Sequence, residues 1–193
     1  MTNILLCGVG GQGIVLTSKL IAAAAAAENM KVMSAETIGM AQKGGSVTSF
    51  LRTAAEDEDL FSPMFPKHSA DIIIAFEPSE AVRNIGYLKE GGTVVVNTHG
   101  VMPVTAALSG GTYDPGEMLS FLEKNVQELI SLDADRICKE IGSPKVLNMI
   151  MLAAAVKSGA VKGIDMGIIA DVMKKTVKPQ FHELNMRALS YEP

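Results

Sequence analysis

The sequence predicts a three-layer α/β/α domain on a mostly parallel, doubly wound sheet, with extra helices at its C-terminal end. Three observations predict it. Strand-type and helix-type patterns alternate along most of the chain, the rhythm of an open sheet covered on both faces. The first apolar run breaks into a glycine-rich turn, G-V-G-G-Q-G at 8–13, that opens a helix. Two further runs, A-D-I-I-I-A-F at 70–76 and T-V-V-V-N at 93–97, are continuously apolar, as strands buried on both faces are.

The elements follow in order. Asn3 to Cys7 reads as the first strand, and Ile14 to Asn29 as a helix whose run Ala22 to Ala27 has high helix propensity and a flank small enough for close packing. Lys31 to Ala35 is a second strand. Ser46 to Arg52 alternates and reads as a third, with an antiparallel orientation open to it. After the central strand Ala70 to Phe76, a helix places Ala81, Val82, Ile85 and Leu88 on one face and stops at Gly91-Gly92, before the strand Thr93 to Asn97. Asp114-Pro115-Gly116-Glu117 reads as an N-cap, a Pro at the first helical position and a capping-box Glu. That helix leads to a strand at Glu128 to Leu132. Beyond Asp133 the pattern is helical: Ser143-Pro144 opens a segment through Val156 that is apolar on nearly all sides, Asp165 caps a helix striped by Ile168, Ile169, Val172 and Met173, and a last helix runs from Lys178 to about Ser190. No linker or repeat divides residues 1–193, which read as a single domain.

Composition narrows the function classes. The chain has 193 residues, 48% apolar and 20% charged, the profile of a globular protein with a full core. A net charge of −4, with no basic stripe interleaved with aromatics, argues against nucleic acid. Twelve methionines read first as core filler and second as an adaptable interface. Two cysteines, Cys7 and Cys138, are too few for an iron–sulfur cluster and form no CxxC pair, which fits a reducing cytoplasm. No apolar run is long enough to span a bilayer, so the expectation is a cytoplasmic protein with no membrane association.

Chemistry concentrates in two glycine blocks. Gly8, Gly10 and Gly13 carry the GxGxxG spacing, and Gly10, Gly11, Gln12 and Gly13 offer backbone donors at a helix start, suited to a phosphate or carboxylate. Glu36 ends the second strand about twenty positions later, where a nicotinamide domain keeps an acid for ribose hydroxyls. A stand-alone NAD(P)- or flavin-binding protein is therefore one reading, and a non-enzymatic nucleotide-binding or assembly module another. Against the first stands the second block, Met40 to Ser46, which such domains do not need. Glu36 and Thr37 are placed to orient it, and Gln42, Lys43, Gly44 and Gly45 form its polar loop. Doubly wound logic puts both blocks at the carboxyl ends of adjacent strands, facing one crevice; turn and packing glycines are the competing explanation. His68, His99 and His182 are scattered and read as surface or capping residues. No triad, metal-ligand spacing or catalytic residue emerges.

The blocks G-V-G-G-Q-G-I-V-L-T-S-K at 8–19, E-T-I-G-M-A-Q-K-G-G-S-V-T-S-F-L-R at 36–52 and S-P-M-F-P at 62–66 resemble the gamma-type component of the 2-oxoacid:ferredoxin oxidoreductases. Those at 70–81, 87–98 and 179–188 are most similar to the small beta subunit of the indolepyruvate-type enzymes in that family. The resemblance implies a Rossmann-like sheet of the pyruvate:ferredoxin oxidoreductase gamma-domain type over the whole chain. It implies a subunit, inactive when isolated, of an enzyme that oxidatively decarboxylates aryl-2-oxoacids with coenzyme A and oxidised ferredoxin, giving the aryl-acetyl-CoA, carbon dioxide and reduced ferredoxin. Thiamine diphosphate, Mg and the iron–sulfur clusters are then expected on a larger partner subunit, ferredoxin is met through the complex, and no cofactor is held tightly by this chain. Pyruvate, 2-oxoisovalerate and 2-oxoglutarate stay open as substrates. Coenzyme A or substrate is expected to face the two loops. The family often has Arg where this chain has Lys43, which keeps the charge without the bidentate fork. Asn148, in the all-apolar helix, matches an Asn common in the family and needs a partner, structural or at an interface; that helix also leaves a homodimer of the isolated chain open.

Overall fold

A computed structural model describes residues 1–39, 44–102 and 112–191. Its six-stranded mixed sheet is built from β1 (Thr2–Val9), β2 (Lys31–Ile38), β3 (Ser46–Ala54), β4 (Ala70–Ala75), β5 (Leu88–Asn97) and β6 (Glu128–Leu132), in the order β2-β3-β1-β4-β5-β6. β1, β4, β5 and β6 are mutually parallel. β3 runs antiparallel between β1 and β2, in unbroken register from Thr2–Thr53 to Val9–Ser46. The helices are α1 (Ile14–Ala27), α2 (Pro78–Asn84), α3 (Pro115–Asn125), α4 (Ala134–Ile141), α5 (Leu147–Lys157), α6 (Met166–Thr176) and α7 (His182–Leu189).

The pleat sorts the core into two layers. Ile4, Leu6, Ile72, Ile74 and Val95 face the helices α1, α4, α5, α6 and α7. Leu5, Cys7, Phe50, Ile73, Val94 and Val96 face α2, α3 and an aromatic cluster on the opposite side. The small residues of α1 serve close packing as expected: Ala24 and Ala25 are fully buried, and Ser18 meets the Ser49 hydroxyl of β3 at 2.8 Å. The all-round apolar segment is α5, buried from Asn148 through Ala153, because it lies between the sheet and α1, α4 and α7. Asp114, Asp133 and Asp165 cap α3, α4 and α6, each accepting a backbone N–H at 2.8–2.9 Å.

Three expectations need correcting. The helix read through Leu88 ends at Asn84: a 3-10 turn, Ile85–Tyr87, intervenes, and Leu88 already pairs with Ala70 in β5. Gly86 interrupts the helix, and the Tyr87 ring is drawn against Phe50 at a centroid distance of 5.3 Å. Residues 89–92 then loop out before the register resumes at Ile72–Thr93. The last helix begins at His182, after a 3-10 turn at Pro179–Phe181. Finally, β1 and β2 are not neighbours, since β3 is inserted between them. Glu36 thus sits exposed on the sheet edge, one strand farther from the first glycine turn than a nicotinamide domain requires.

Candidate functional site: a cleft at the start of helix α1

Chain direction on the two sides of the sheet reverses between β1 and β4: β1 leads toward β3 and β2, β4 toward β5 and β6. Crevices of doubly wound sheets lie at the carboxyl ends of strands at such a point, and a cleft of about 430 Å³ opens here. Gly11, Gln12, Gly13 and Leu16 form its near wall; His99, Val101, Asp135, Lys145 and Asn148 are among the residues that complete it.

The turn is built from its own side chain. Gln12 folds back, so that its Oε1 accepts the Val9 N–H at 2.8 Å and its Nε2 donates to the Phe76 carbonyl at 3.0 Å. The Gln12 backbone N–H bonds Val9 O, and the Gly10 N–H bonds Gly45 O at 2.8 Å. Gly10 and Gln12, expected as ligand donors, are therefore spent on the turn. Gly8 lies inside β1, where a Cβ would stand 2.8 Å from that of Phe76. Among the described residues, the N–H groups of Gly11 and Gly13 meet no acceptor. The first helical bond runs from Thr17 N–H to Gly13 O, so the opening turn of α1 points its donors into the cleft; that turn carries no acidic residue, and the carboxylate of the cleft is Asp135 on the far wall.

The floor is rigid. Asn97, fully buried at the end of β5, donates from Nδ2 to Phe76 O at 3.3 Å and to the Asp135 carboxylate at 2.9 Å. Its Oδ1 accepts the Ala134 N–H at 3.1 Å. One carbonyl, that of Phe76, thus ties the β1 turn to the end of β5 and the start of α4. Asp135 is held by this network, leaving Lys145 as the exposed cation of the far wall, with its ammonium 5.7 Å from the Phe181 ring centroid.

Asn148 stands directly over Gly13. A Cβ on Gly13 would lie 2.9 Å from the Asn148 Cβ, and Gly13 itself has φ +87°. Only glycine meets both conditions. Asn148 is 5% exposed, and it lines the cleft. The partner that its amide demands is not found among the described residues.

The other expected residues divide. Gly44 and Gly45 sit beside the first turn, through the Gly10–Gly45 bond, while Gln42 and Lys43 lie outside the described residues. Glu36 and Thr37 are exposed on β2, off the cleft. His182 bonds Val177 O at the start of α7 and His68 lies on an exposed loop, as surface and capping roles require. His99 departs from that reading by entering the cleft wall. Both thiols are buried, and burial pushes Cys7 well above the ordinary thiol range and Cys138 up to about 11.

A second polar cluster lies behind the cleft. Glu77, fully buried before α2, accepts from the Glu80 N–H, the Ser79 and Tyr113 hydroxyls and the Val101 N–H. It pins the chain on either side of residues 103–111. Burial first, then the Glu77 carboxylate, raises the Tyr113 hydroxyl well above its usual range.

A doubly wound sheet with an antiparallel strand inserted beside β1, and a glycine turn at its reversal point, define a Rossmann-like α/β domain with a candidate anion-binding cleft. Residues 3–191 match the pyruvate ferredoxin/flavodoxin oxidoreductase family, and the chain belongs to it. The indolepyruvate oxidoreductase subunit IorB of Thermococcus kodakarensis is 34% identical over 188 residues, covering 96% of this chain and 91% of the relative. The common gamma subunit of pyruvate/ketoisovalerate oxidoreductases of Pyrococcus furiosus is 28% identical over 183 residues, 94% and 89% of the two chains. Among solved structures, the keto/oxoacid ferredoxin oxidoreductase gamma subunit of Geobacter sulfurreducens superposes with a TM-score of 0.70 at 20% identity, covering 98% of this chain and 94% of that one. The 2-oxoglutarate:ferredoxin oxidoreductase of Magnetococcus marinus, solved with 2-oxoglutarate, coenzyme A and succinyl-CoA bound, gives 0.71 at 20% identity over 97% of this chain and 29% of that one. Among the described residues no helix is long and apolar enough to cross a membrane.

Proposed function

We propose that this chain is the small subunit of an indolepyruvate:ferredoxin oxidoreductase and that its cleft receives the anionic end of coenzyme A. The substrate assignment rests on one contrast: relatives of the indolepyruvate type are 32–34% identical, those of the pyruvate/ketoisovalerate type 27–28%, over similar lengths. The assembly would decarboxylate an aryl-2-oxoacid oxidatively, pass two electrons to ferredoxin and transfer the acyl group to coenzyme A. Thiamine diphosphate, with Mg, supplies the carbanion stabilisation when bound, and that chemistry with the iron–sulfur clusters is assigned to the larger subunit.

This chain's own contribution is binding and orientation. The α1 N-terminus presents open backbone donors and a positive dipole end to a phosphate. Asn148 supplies an amide, and Lys145 a charge on a flexible stem, from the opposite wall. The hydrogen bonds of Gln12, Asn97 and Phe76 O hold the glycine turn still before the ligand arrives, which lowers the ordering cost of binding. Lys43, on the neighbouring loop, is a further cation for the same anion.

Substrate preference is checked by assaying the co-expressed complex against a panel of 2-oxoacids. Indolepyruvate and other aryl substrates are expected to exceed pyruvate, 2-oxoisovalerate and 2-oxoglutarate in kcat/KM by about tenfold or more, the scale of side-chain discrimination in an apolar pocket. Pyruvate ranking first would instead make the chain a gamma subunit of the pyruvate type.

A further inference from the structure

At the opposite end of the sheet from the cleft, the loop between β3 and β4 holds Phe61 86% exposed. Large aromatics left in water on a fixed scaffold mark protein contacts. The scaffold here is fixed. Arg52, on β3, donates from Nε to Asn3 Oδ1 at 2.9 Å and from Nη1 to the carbonyl of Ser62 at 2.9 Å, pinning the residue after Phe61. Downstream, Phe65 is buried in an edge-to-face trio with Phe50 and Tyr87, at centroid distances of 5.1 and 6.3 Å. Upstream, Lys31 bonds the Glu58 carbonyl at 2.8 Å. The ring is thus displayed by a loop held on both sides rather than left free.

Phe61 is not alone. Arg52 Nη2 also reaches Met1 Sδ at 2.7 Å, and the strand register sets Met33 of β2 directly opposite Arg52 on the same face of the sheet. Phe61 and Met64 lie on either side of the pinned Ser62 in sequence, so four exposed apolar residues are tied to Arg52 by contact, register or chain: Phe61, Met64, Met1 and Met33, the last three 53%, 45% and 36% exposed. The patch continues onto β2, an edge strand exposed on both faces. Glu58 is paired with the N-terminal ammonium at 2.6 Å, and Asp59 lies 4.0 Å from Lys31, whereas Glu56 and Asp57 border the patch without ion-pair partners among the described residues and leave the rim acidic. An anchor aromatic, adaptable methionines and an acidic rim describe one half of an interface.

We infer that this patch docks on a protein partner that offers an apolar socket for Phe61 inside a rim of Lys or Arg. Resting on the functional reading above, the partner is the larger subunit of the oxidoreductase. The charge of the rim selects a basic surface and steers its approach, while the pre-set ring supplies the anchor. Because Phe61 packs against almost nothing within the chain, its removal leaves the fold intact.

The test measures the dissociation constant between the purified larger subunit and the wild-type chain, Phe61→Ala or Asp57→Lys, together with the melting temperature of each chain and the sedimentation of each chain alone. Phe61→Ala is expected to weaken the complex by about tenfold or more with an unchanged melting temperature. Asp57→Lys is expected to slow association, an effect that fades as salt is raised. A wild-type complex that both variants leave at full affinity overturns the docking face alone. A self-associated chain that Phe61→Ala dissociates, with the heteromer untouched, also overturns it, by giving the face to a second copy. Failure of the wild-type chain to bind the larger subunit contradicts the functional reading itself, and this assignment with it.

Discussion

Asn148→Asp is expected to raise the KM for coenzyme A by about 30- to 100-fold in the assembled enzyme, while the KM for the 2-oxoacid stays within twofold. The substitution is isosteric, so the packing of this residue over Gly13 is kept and only the amide donor is exchanged for an acid. Losing a hydrogen bond to a charged ligand costs roughly 1.5–3 kcal/mol, and placing like charge beside the anion adds to it. At about 1.4 kcal/mol per tenfold change, the sum is in the stated range. Asn148→Ala removes the donor without adding charge and should raise the same constant by a smaller factor, about 10- to 30-fold. Steady-state kinetics with coenzyme A varied at saturating 2-oxoacid reads both. An unchanged KM for coenzyme A in Asn148→Asp would remove this residue, and the cleft with it, from the binding of that substrate.

The second large effect is on stability. Gly13→Ala is expected to destabilise the chain by about 2–5 kcal/mol. A side chain at φ +87° costs roughly 1–2 kcal/mol. Its Cβ would also lie 2.9 Å from the Asn148 Cβ on a helix packed from all sides, and such overpacking adds about 1–3 kcal/mol. Gly11→Ala is the internal comparison. Gly11 has φ +103°, but a methyl group there would meet nothing within 4 Å, so only the backbone penalty applies, about 1–2 kcal/mol. Urea midpoints of the two variants separate strain from contact. Equal losses would mean that Asn148 does not press on Gly13.

These two residues also show what the sequence could and could not convey. The glycine turn was legible because strand, turn and helix are contiguous, and Asn148 stood out as the polar residue in an apolar helix. That the two touch was not legible: they lie on separate elements brought together only by the packing of α5 against α1. The same holds for His99, Asp135 and Lys145, which reach the cleft from the loop after β5, the first turn of α4 and the 3-10 turn before α5. Asn97 carried a signal of its own, a polar residue ending the apolar run Val94–Val96, at the carboxyl edge where doubly wound sheets keep their sites. Gln12 misled for a local reason, since its spacing allowed a ligand donor and a turn brace equally, and the brace won by satisfying Val9 N–H and Phe76 O together. Alternation along Ser46 to Arg52 gave a strand of open direction, but no pattern within it says that it inserts beside β1 and moves Glu36 outward. The helix ending at Asn84 was overextended because Ile85 and Leu88 continue its apolar stripe, whereas Tyr87 is claimed by Phe50 and Phe65 from distant parts of the chain.

Reconstitution tests the proposed division of labour between this chain and a larger subunit. The larger subunit alone, this chain alone and the two together are assayed for coenzyme A-dependent reduction of a viologen dye by indolepyruvate. Activity only in the mixture, and only with coenzyme A present, is the expected result. Full activity of the larger subunit alone, or a mixture no more active than its parts, would refute that division and return the chain to the nucleotide-binding readings its glycine turn also permits.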